Sequence, residues 1–131
     1  MVDFCGRLLR IAEFADYPHA YNGLQVENSG KITRLGAAVD ANRMSIEGAI
    51  AAGVDLLLVH HGLFWGRSLP ITGHRRENYK LLLDNGIAVY SAHLPLDCHP
   101  EIGNNALIMR ELGILPIHHI SCDHDFTMPV G

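Results

Sequence analysis

The 131-residue chain has few cysteines, a small net charge and no long apolar run. Its three cysteines are an odd number without a CxxC spacing, which favours reduced thiols over a disulfide framework and predicts a cytoplasmic protein. The formal charge is −4 and no Lys/Arg run is longer than Arg75-Arg76, so we expect no direct nucleic-acid partner. No apolar stretch reaches the roughly 18 residues of a membrane span, so we expect no membrane association.

The composition that remains is that of a folded domain. Hydrophobic residues make up 48% of the chain and charged residues 18%, which is sufficient for a hydrophobic core. Helical periodicity predicts four helices. Asp3, Asn42 and Asn104 are the expected N-cap residues of three of them, and the fourth covers Glu77 to Asp84. The helix capped by Asp3 is expected to end near Tyr17-Pro18. Buried strands are predicted over residues 32–40, 55–62 and 87–93. This alternation predicts an α/β fold, a mostly parallel sheet with helices packed on it, in a single domain over residues 1–131.

Polar side chains stand where these strands end. Asp40 ends the first predicted strand, His60 and His61 the second, and His93 the third, while Asp97 follows four residues later. The carboxyl ends of neighbouring parallel strands meet at one edge of a sheet, which is where ligands bind in this fold class. We therefore expect these side chains to converge in one cleft.

The chemistry of this set favours a metal centre. Successive side chains of a strand alternate in direction, but a turn at Gly62 lets His60 and His61 face one site, each reaching a different ion of a pair. Asp97 is suited to bridge two ions, because a carboxylate has two oxygens and a negative charge. A His and carboxylate set suits zinc, iron, manganese or cobalt better than calcium or magnesium. A lone histidine, in contrast, is usually solvated or hydrogen-bonded in a core.

Other histidines and acidic residues have simpler interpretations. His93 has two open roles, direct ligation or orienting Asp97. His99 precedes Pro100 and is expected to help start the turn, and His74 is expected on a solvated face or an anion-binding edge. A cluster near the end of the chain, past the last helix, is expected on the surface: His118, His119, Asp123, His124 and Asp125.

Two further sets of residues have alternative roles. Ser91, Cys98 and His93 could form a nucleophilic site, but neither candidate nucleophile has a nucleophile-elbow glycine pattern around it. Phe64 and Trp65 are expected to pack at the mouth of the site, or to stack on a planar substrate.

Three motifs resemble a known family: NGLQVE at 22–27, VHHGLFW at 59–65 and HLPLDCHPEIGNN at 93–105. They resemble, in order, the NIF-three-like family of dinuclear-metal proteins, whose bacterial members are called GTP cyclohydrolase I type 2 homologs. The resemblance implies that His60, His61 and Asp97 are metal ligands and that a complete site holds two divalent ions. It also implies a toroidal homohexamer, and a second half of the protein whose late His and Glu complete the centre. This chain resembles the N-terminal half.

The functional prediction is a dinuclear-metal-binding, hydrolase-like protein that uses a metal-activated water on a small-molecule substrate. A cyclohydrolase activity is what the resemblance suggests. The alternative is a non-catalytic scaffold or interaction protein. An enzyme needs a base beside the metals, and the candidates are Glu101, Asp40 and His93. With only three ligands in this chain, we expect little turnover without the second half, and exposed apolar surface near residues 114–131 that favours self-association.

Overall fold

The main sheet is mixed and has four strands. The computed structural model describes residues 1–65, 69–114, 118–122 and 126–130, and for the last two ranges only the backbone. The strands are β1 (Gly23–Val26), β2 (Leu35–Asp40), β3 (Leu56–His61) and β4 (Ala88–Ser91). Their order is β1-β4-β3-β2, with β2, β3 and β4 parallel and β1 antiparallel to β4. The predicted α/β fold with a mostly parallel sheet is therefore confirmed.

Five α-helices accompany the sheet within the described residues. They are α1 (Val2–Leu8), α2 (Arg43–Ala51), α3 (Gly73–Asp84), α4 (Leu94–Asp97) and α5 (Asn104–Glu111). Helices α2 and α3 connect the parallel strands, as the alternating pattern predicts. The predicted cap of α2 is confirmed, since Asn42 Oδ1 accepts a hydrogen bond of 2.9 Å from the Ser45 N–H. The predicted caps Asp3 and Asn104 are wrong, because both residues lie inside their helices, whose N-caps are Met1 and Gly103. None of the described helices has both the length and the apolar character needed to cross a bilayer.

The predictions for helix boundaries and for the first segment are partly wrong. The first helix ends at Leu8 rather than near Tyr17-Pro18, because Arg10 has a left-handed backbone with φ of 52°. Helix α3 starts at Gly73, ahead of the predicted Glu77. The earlier start was missed because the first turn of the helix has no apolar stripe that would indicate a helix. Strand β1 was not predicted, since its four residues are too few for a clear alternation.

The strands bury apolar side chains on both faces of the sheet. On one face, Leu57, Val59 and Val89 pack against α2 and α3 through Ile46 and Leu82. On the other, a second cluster brings α1 onto β3 and β4; its buried members are Cys5, Leu9, Leu56, Ala88, Tyr90 and Ala92. Alternation along each strand produces these two layers. They hold β3 and β4, whose ends carry the predicted site.

An apolar groove remains open beside the edge strand β2. Leu35 and Val39 of β2 are 48% and 64% exposed. The groove has a volume of about 410 Å³, is lined mainly by apolar side chains of α1, β2 and β3, and reaches His60 at one end. Contiguous apolar surface of this kind is typical of a face that binds another protein segment.

The C-terminal segment does not extend the main sheet. Strands β5 (His118–Cys122) and β6 (Phe126–Val130) pair with each other as a separate antiparallel hairpin. An exposed apolar groove lies along β2. The side chains of residues 115–131 lie outside what the structure describes, so the predicted apolar surface near residues 114–131 stays a prediction. The side chains of His118 and His119, and residues 123–125 altogether, lie outside what the structure describes, so their predicted surface position stays a prediction.

Candidate metal centre

Three histidine side chains meet at the carboxyl end of the parallel strands. His60 and His61 end β3, and His93 follows β4 by two residues. Their ring centroids are 4.6 Å apart for His60 and His61, 4.8 Å for His60 and His93, and 5.6 Å for His61 and His93. One nitrogen from each ring lies within 4.8 Å of the others. The side chains that the sequence places at neighbouring strand ends are thus brought together.

The three imidazoles share one hydrogen-bonding pattern, in which Nδ1 faces an oxygen. These bonds run from His60 to the Ala92 carbonyl (3.1 Å), from His61 to Asp40 (2.8 Å) and from His93 to Asp16 (2.9 Å). Carbonyl and carboxylate oxygens accept hydrogen bonds, so each Nδ1 carries the hydrogen and donates it. The lone pair of each neutral ring is then on Nε2. Metal-binding histidines typically donate their second ring N–H in this way.

Asp97 lies against this cluster. Its Oδ2 is 3.5 Å from His60 Nε2, and its Oδ1 accepts a hydrogen bond of 2.7 Å from the Asn104 side chain. Asn104 therefore holds the Asp97 carboxylate, and the Asp97 N–H donates to the His93 carbonyl oxygen at 3.1 Å. A carboxylate oxygen and the Nε2 lone pair of a neutral imidazole both carry negative charge density. Their approach is favourable only when a proton or a metal cation lies between them.

Asp16 lies behind His93 and was not predicted from the sequence. Burial raises the pKa of this carboxyl, but hydrogen bonds from Asn22, His93, and the Tyr17 and Leu94 N–H groups outweigh burial, and the pKa is lowered below its ordinary value. The carboxylate is therefore ionised at neutral pH. The feature of the sequence that could have indicated a role for Asp16 is its position six residues before Asn22, the first residue of the NGLQVE motif.

Asn22 and Gln25 of the NGLQVE motif hold the loops that carry the histidines. The Asn22 Oδ1 accepts a hydrogen bond of 2.7 Å from the His93 N–H, and its amide donates one of 2.7 Å to Asp16. The Gln25 Oε1 accepts one of 2.6 Å from the Leu63 N–H. A side chain at Gly62 would come too close to the Gln25 amide, so a larger residue there would require the Gln25 side chain to move. The NGLQVE motif thus holds the backbone next to the histidines in place.

Aromatic side chains form one wall of the site. The Trp65 ring meets His93 edge to face at 4.5 Å between centroids and lies 5.8 Å from His61. The Tyr17 ring lies 5.9 Å from His93 on another side. Trp65 is nevertheless 45% exposed. It therefore packs against the histidines and also presents surface to the solvent.

The remaining candidates are a turn residue, two exposed residues and a buried serine. His99 Nδ1 accepts hydrogen bonds of 3.2 Å from the Glu101 and Ile102 N–H groups, so His99 stabilises the turn as predicted. His74 is exposed on α3, as expected for a solvated face, and Glu101 is exposed beyond the turn. Ser91 is buried and its hydroxyl donates to the His60 carbonyl at 3.2 Å, which does not support a nucleophile.

Together, the fold and the site define an α/β protein with a histidine cluster at the carboxyl edge of its sheet. Residues 1–125 match the family Duf34/NIF3 (NGG1p interacting factor 3). The chain belongs to this family, and the predicted resemblance is confirmed.

Relatives and solved structures agree with this assignment. The chain is 46% identical over 114 residues to the GTP cyclohydrolase 1 type 2 homolog of Deinococcus radiodurans, covering 87% of this chain and 43% of that protein. It is 45% identical over 126 residues to the protein of the same name from Escherichia coli K12, covering 93% and 50%. The crystal structure of TTHA1606 from Thermus thermophilus superposes with a TM-score of 0.84 at 43% identity, covering 96% and 51%. The chain thus spans about half the length of these proteins.

Proposed function

We propose that the protein is a dinuclear-metal-binding, hydrolase-like protein in which His60, His61 and Asp97 are metal ligands. Membership of the Duf34/NIF3 family supports this function, as does the convergence of three ring nitrogens within 4.8 Å. The donor set of imidazoles and one carboxylate suits iron, zinc, manganese or cobalt.

One contact carries the proposal. His60 donates through Nδ1 to a carbonyl, so its Nε2 lone pair faces the Asp97 carboxylate across 3.5 Å. Two acceptors at this distance repel each other unless a cation or proton lies between them. A divalent cation satisfies His60 and Asp97 at once, and the remaining oxygen of Asp97 is already held by Asn104. The residues present therefore fit a metal ion.

The chain contributes orientation and charge to such a centre. When bound, divalent ions supply an activated water and polarise a substrate. His60 and His61 donate nitrogen lone pairs, Asp97 neutralises positive charge, and Trp65 limits the access of solvent on one side. The name GTP cyclohydrolase 1 type 2 homolog belongs to the relatives, and by analogy we propose a small-molecule substrate with a hydrolysable ring.

We further propose that the centre of the whole protein contains ligands from a second half. The relatives are about twice as long as the part this chain matches. With three ligands for two ions, the 131-residue chain is expected to show little hydrolytic turnover by itself. A homohexameric assembly in the cytoplasm is part of the same proposal.

A non-catalytic scaffold is the second candidate. The apolar groove beside β2 reaches His60, so a bound protein segment would lie against the site. The family description, an interacting factor, agrees with such a role.

The function is tested by metal content and turnover. We expect purified protein supplied with manganese, iron, cobalt or zinc to retain a divalent metal in elemental analysis, and His60→Ala to lose it. Turnover of cyclic-amide and nucleotide substrates, measured for this chain and for a version extended by the second half of a relative, separates hydrolase from scaffold. Wild-type protein without metal after such supply would contradict the proposal.

A further inference from the structure

The buried side of the site is organised by the Asp16 carboxylate, whose side chain is only 3% exposed. Besides His93, three donors hold it: the Tyr17 N–H (2.7 Å), the Asn22 amide (2.7 Å) and the Leu94 N–H (3.1 Å). Backbone N–H and amide NH₂ groups can only donate, so they fix both carboxylate oxygens as acceptors. The carboxylate consequently presents a fixed acceptor to His93 Nδ1.

His93 is held through its backbone as well as its ring. Its N–H donates to Asn22 Oδ1 at 2.7 Å, so Asn22 joins His93 and Asp16 into one unit. The His93 side chain is 10% exposed, and the edge-to-face contact with Trp65 packs against it. A flip of the ring would break the bond to Asp16 and disturb this packing. The hydrogen on Nδ1 and the lone pair on Nε2 are thus set by the surroundings.

We propose that Asp16 is a positioning residue that locks His93 in the Nδ1–H form, so that His93 supplies a third imidazole lone pair to the metal centre. This inference rests on the proposed function, because a divalent ion is the group that the lone pair binds. It adds His93 to the ligands His60 and His61, and it gives the chain a three-nitrogen site of its own.

The distances between the three rings agree with a site in which a small movement brings all three nitrogens to one ion. Two nitrogens bound to one ion at about 2.1 Å each are at most about 4.2 Å apart. One nitrogen of each of the three rings lies within 4.8 Å of the others, so a small ring movement is sufficient for all three rings to reach one ion. The longest centroid separation, 5.6 Å, involves His61, whose side chain is 46% exposed. His61 is therefore the ring that moves, and His93 is the fixed reference.

The tautomer is measured in the metal-free protein with isotopically labelled histidine. Long-range proton–nitrogen correlation spectra at alkaline pH, where imidazole is neutral, report which ring nitrogen carries hydrogen. His93→Gln identifies the His93 signal. We expect the Nδ1–H form in the wild type and a mixture in Asp16→Asn, because an amide can donate as well as accept. A wild-type His93 in the Nε2–H form would overturn the proposal without any variant.

Asp55→Asn is the matched control. It makes the same carboxylate-to-amide change at the opposite end of the sheet, where Asp55 contacts Thr33 and Arg34. We expect the His93 signal of this variant to equal that of the wild type.

Metal binding is measured by Co²⁺ titration followed by visible absorption. We expect Asp16→Asn to bind Co²⁺ about 10–100-fold more weakly, His93→Gln to bind at least as weakly, and Asp55→Asn to bind like the wild type. If the wild type binds Co²⁺ and neither Asp16→Asn nor His93→Gln weakens binding, the positioning role is wrong while the proposed function stands. If the wild type binds no Co²⁺, the proposed function fails, and His93 is not a ligand. If Asp16→Asn does not fold, His93→Gln and the wild-type tautomer still decide.

Discussion

The two ends of the main sheet are both polar, but their polar groups are matched in different ways. At the amino end, Asp55 accepts hydrogen bonds from the Thr33 N–H (2.8 Å), the Thr33 hydroxyl (2.6 Å) and the Arg34 N–H (2.9 Å). Asn28 bridges two further backbone carbonyls there, of Asp55 and Gly86. Donors meet acceptors throughout this set. At the carboxyl end, the lone pair of His60 faces the carboxylate of Asp97.

This difference distinguishes polar groups that stabilise the fold from polar groups that are available to bind a cation. A matched network such as that of Asp55 is complete without another molecule, so its contribution is to stability. A set of lone pairs that face one another is complete only with a cation or proton. The carboxyl end has both kinds: the polar groups of Asp16 and Asn22 are matched, whereas His60 Nε2 and Asp97 Oδ2 face each other as two acceptors. The comparison predicts which substitutions change metal binding and which change folding.

The largest expected effect is at the mismatched contact. In the proposed centre, the Asp97 carboxylate balances the charge of the ions, so we expect Asp97→Ala to lower metal affinity by about 100-fold or more. His99→Ala, two residues away, removes a turn hydrogen bond and is expected to leave metal content near that of the wild type. Elemental analysis of both variants measures the difference. Equal metal content in the two would show that Asp97 does not bind the metals.

A smaller effect is expected at the exposed carboxylate–histidine pair. Asp40→Asn replaces the acceptor of His61, and we expect metal affinity to fall by about tenfold. The effect is smaller than that of Asp97→Ala because Asp40 is 52% exposed and water can replace part of the hydrogen bond. Asp55→Asn should leave affinity unchanged and lower the midpoint of urea unfolding. If both variants changed affinity equally, the distinction between the two ends would be wrong.

The smallest effect is the pH dependence of the matched end. Hydrogen bonds from the Thr33 side chain and the Arg34 N–H lower the pKa of Asp55 from its ordinary value of 3.8. Since the folded pKa is below the unfolded one, this group stabilises the fold above about pH 4, and the contribution is lost as pH falls through the folded pKa. Urea unfolding across this range should show a shallower acid loss in Asp55→Asn. An unchanged slope would remove Asp55 from the account of acid stability.

The parallel core and the histidine pair could be predicted because their signals are local. Apolar runs between Asn42 and Asn85-Gly86 define β3 and its two flanking helices, and the rule that ligands gather at strand ends selects His60 and His61. The cluster itself is in the structure, while its role as ligands stays a prediction.

Asp16 could not be predicted, because it lies outside any regular element and meets a histidine 77 residues later in the chain. The same is true of Asn22: a motif indicates that residues matter, but not which backbone group they bind. The antiparallel β1, which carries Gln25, depends on tertiary pairing with β4 and has little periodicity of its own.

The position of β2 at the edge has a consequence for how the site opens. Asp40 is the last residue of β2, which within the described sheet pairs with β3 alone, whereas β4 lies between β1 and β3. An edge strand with an uncovered face opens locally at a lower free energy than a central one, and its amide hydrogens exchange sooner. His61, whose hydrogen-bond partner Asp40 ends this edge strand, is therefore expected to loosen before His93, which is buried and follows the central strand β4. In the proposed metal site, an ion would then enter and leave past His61, while the buried His93 ring would keep its place and bind the next ion.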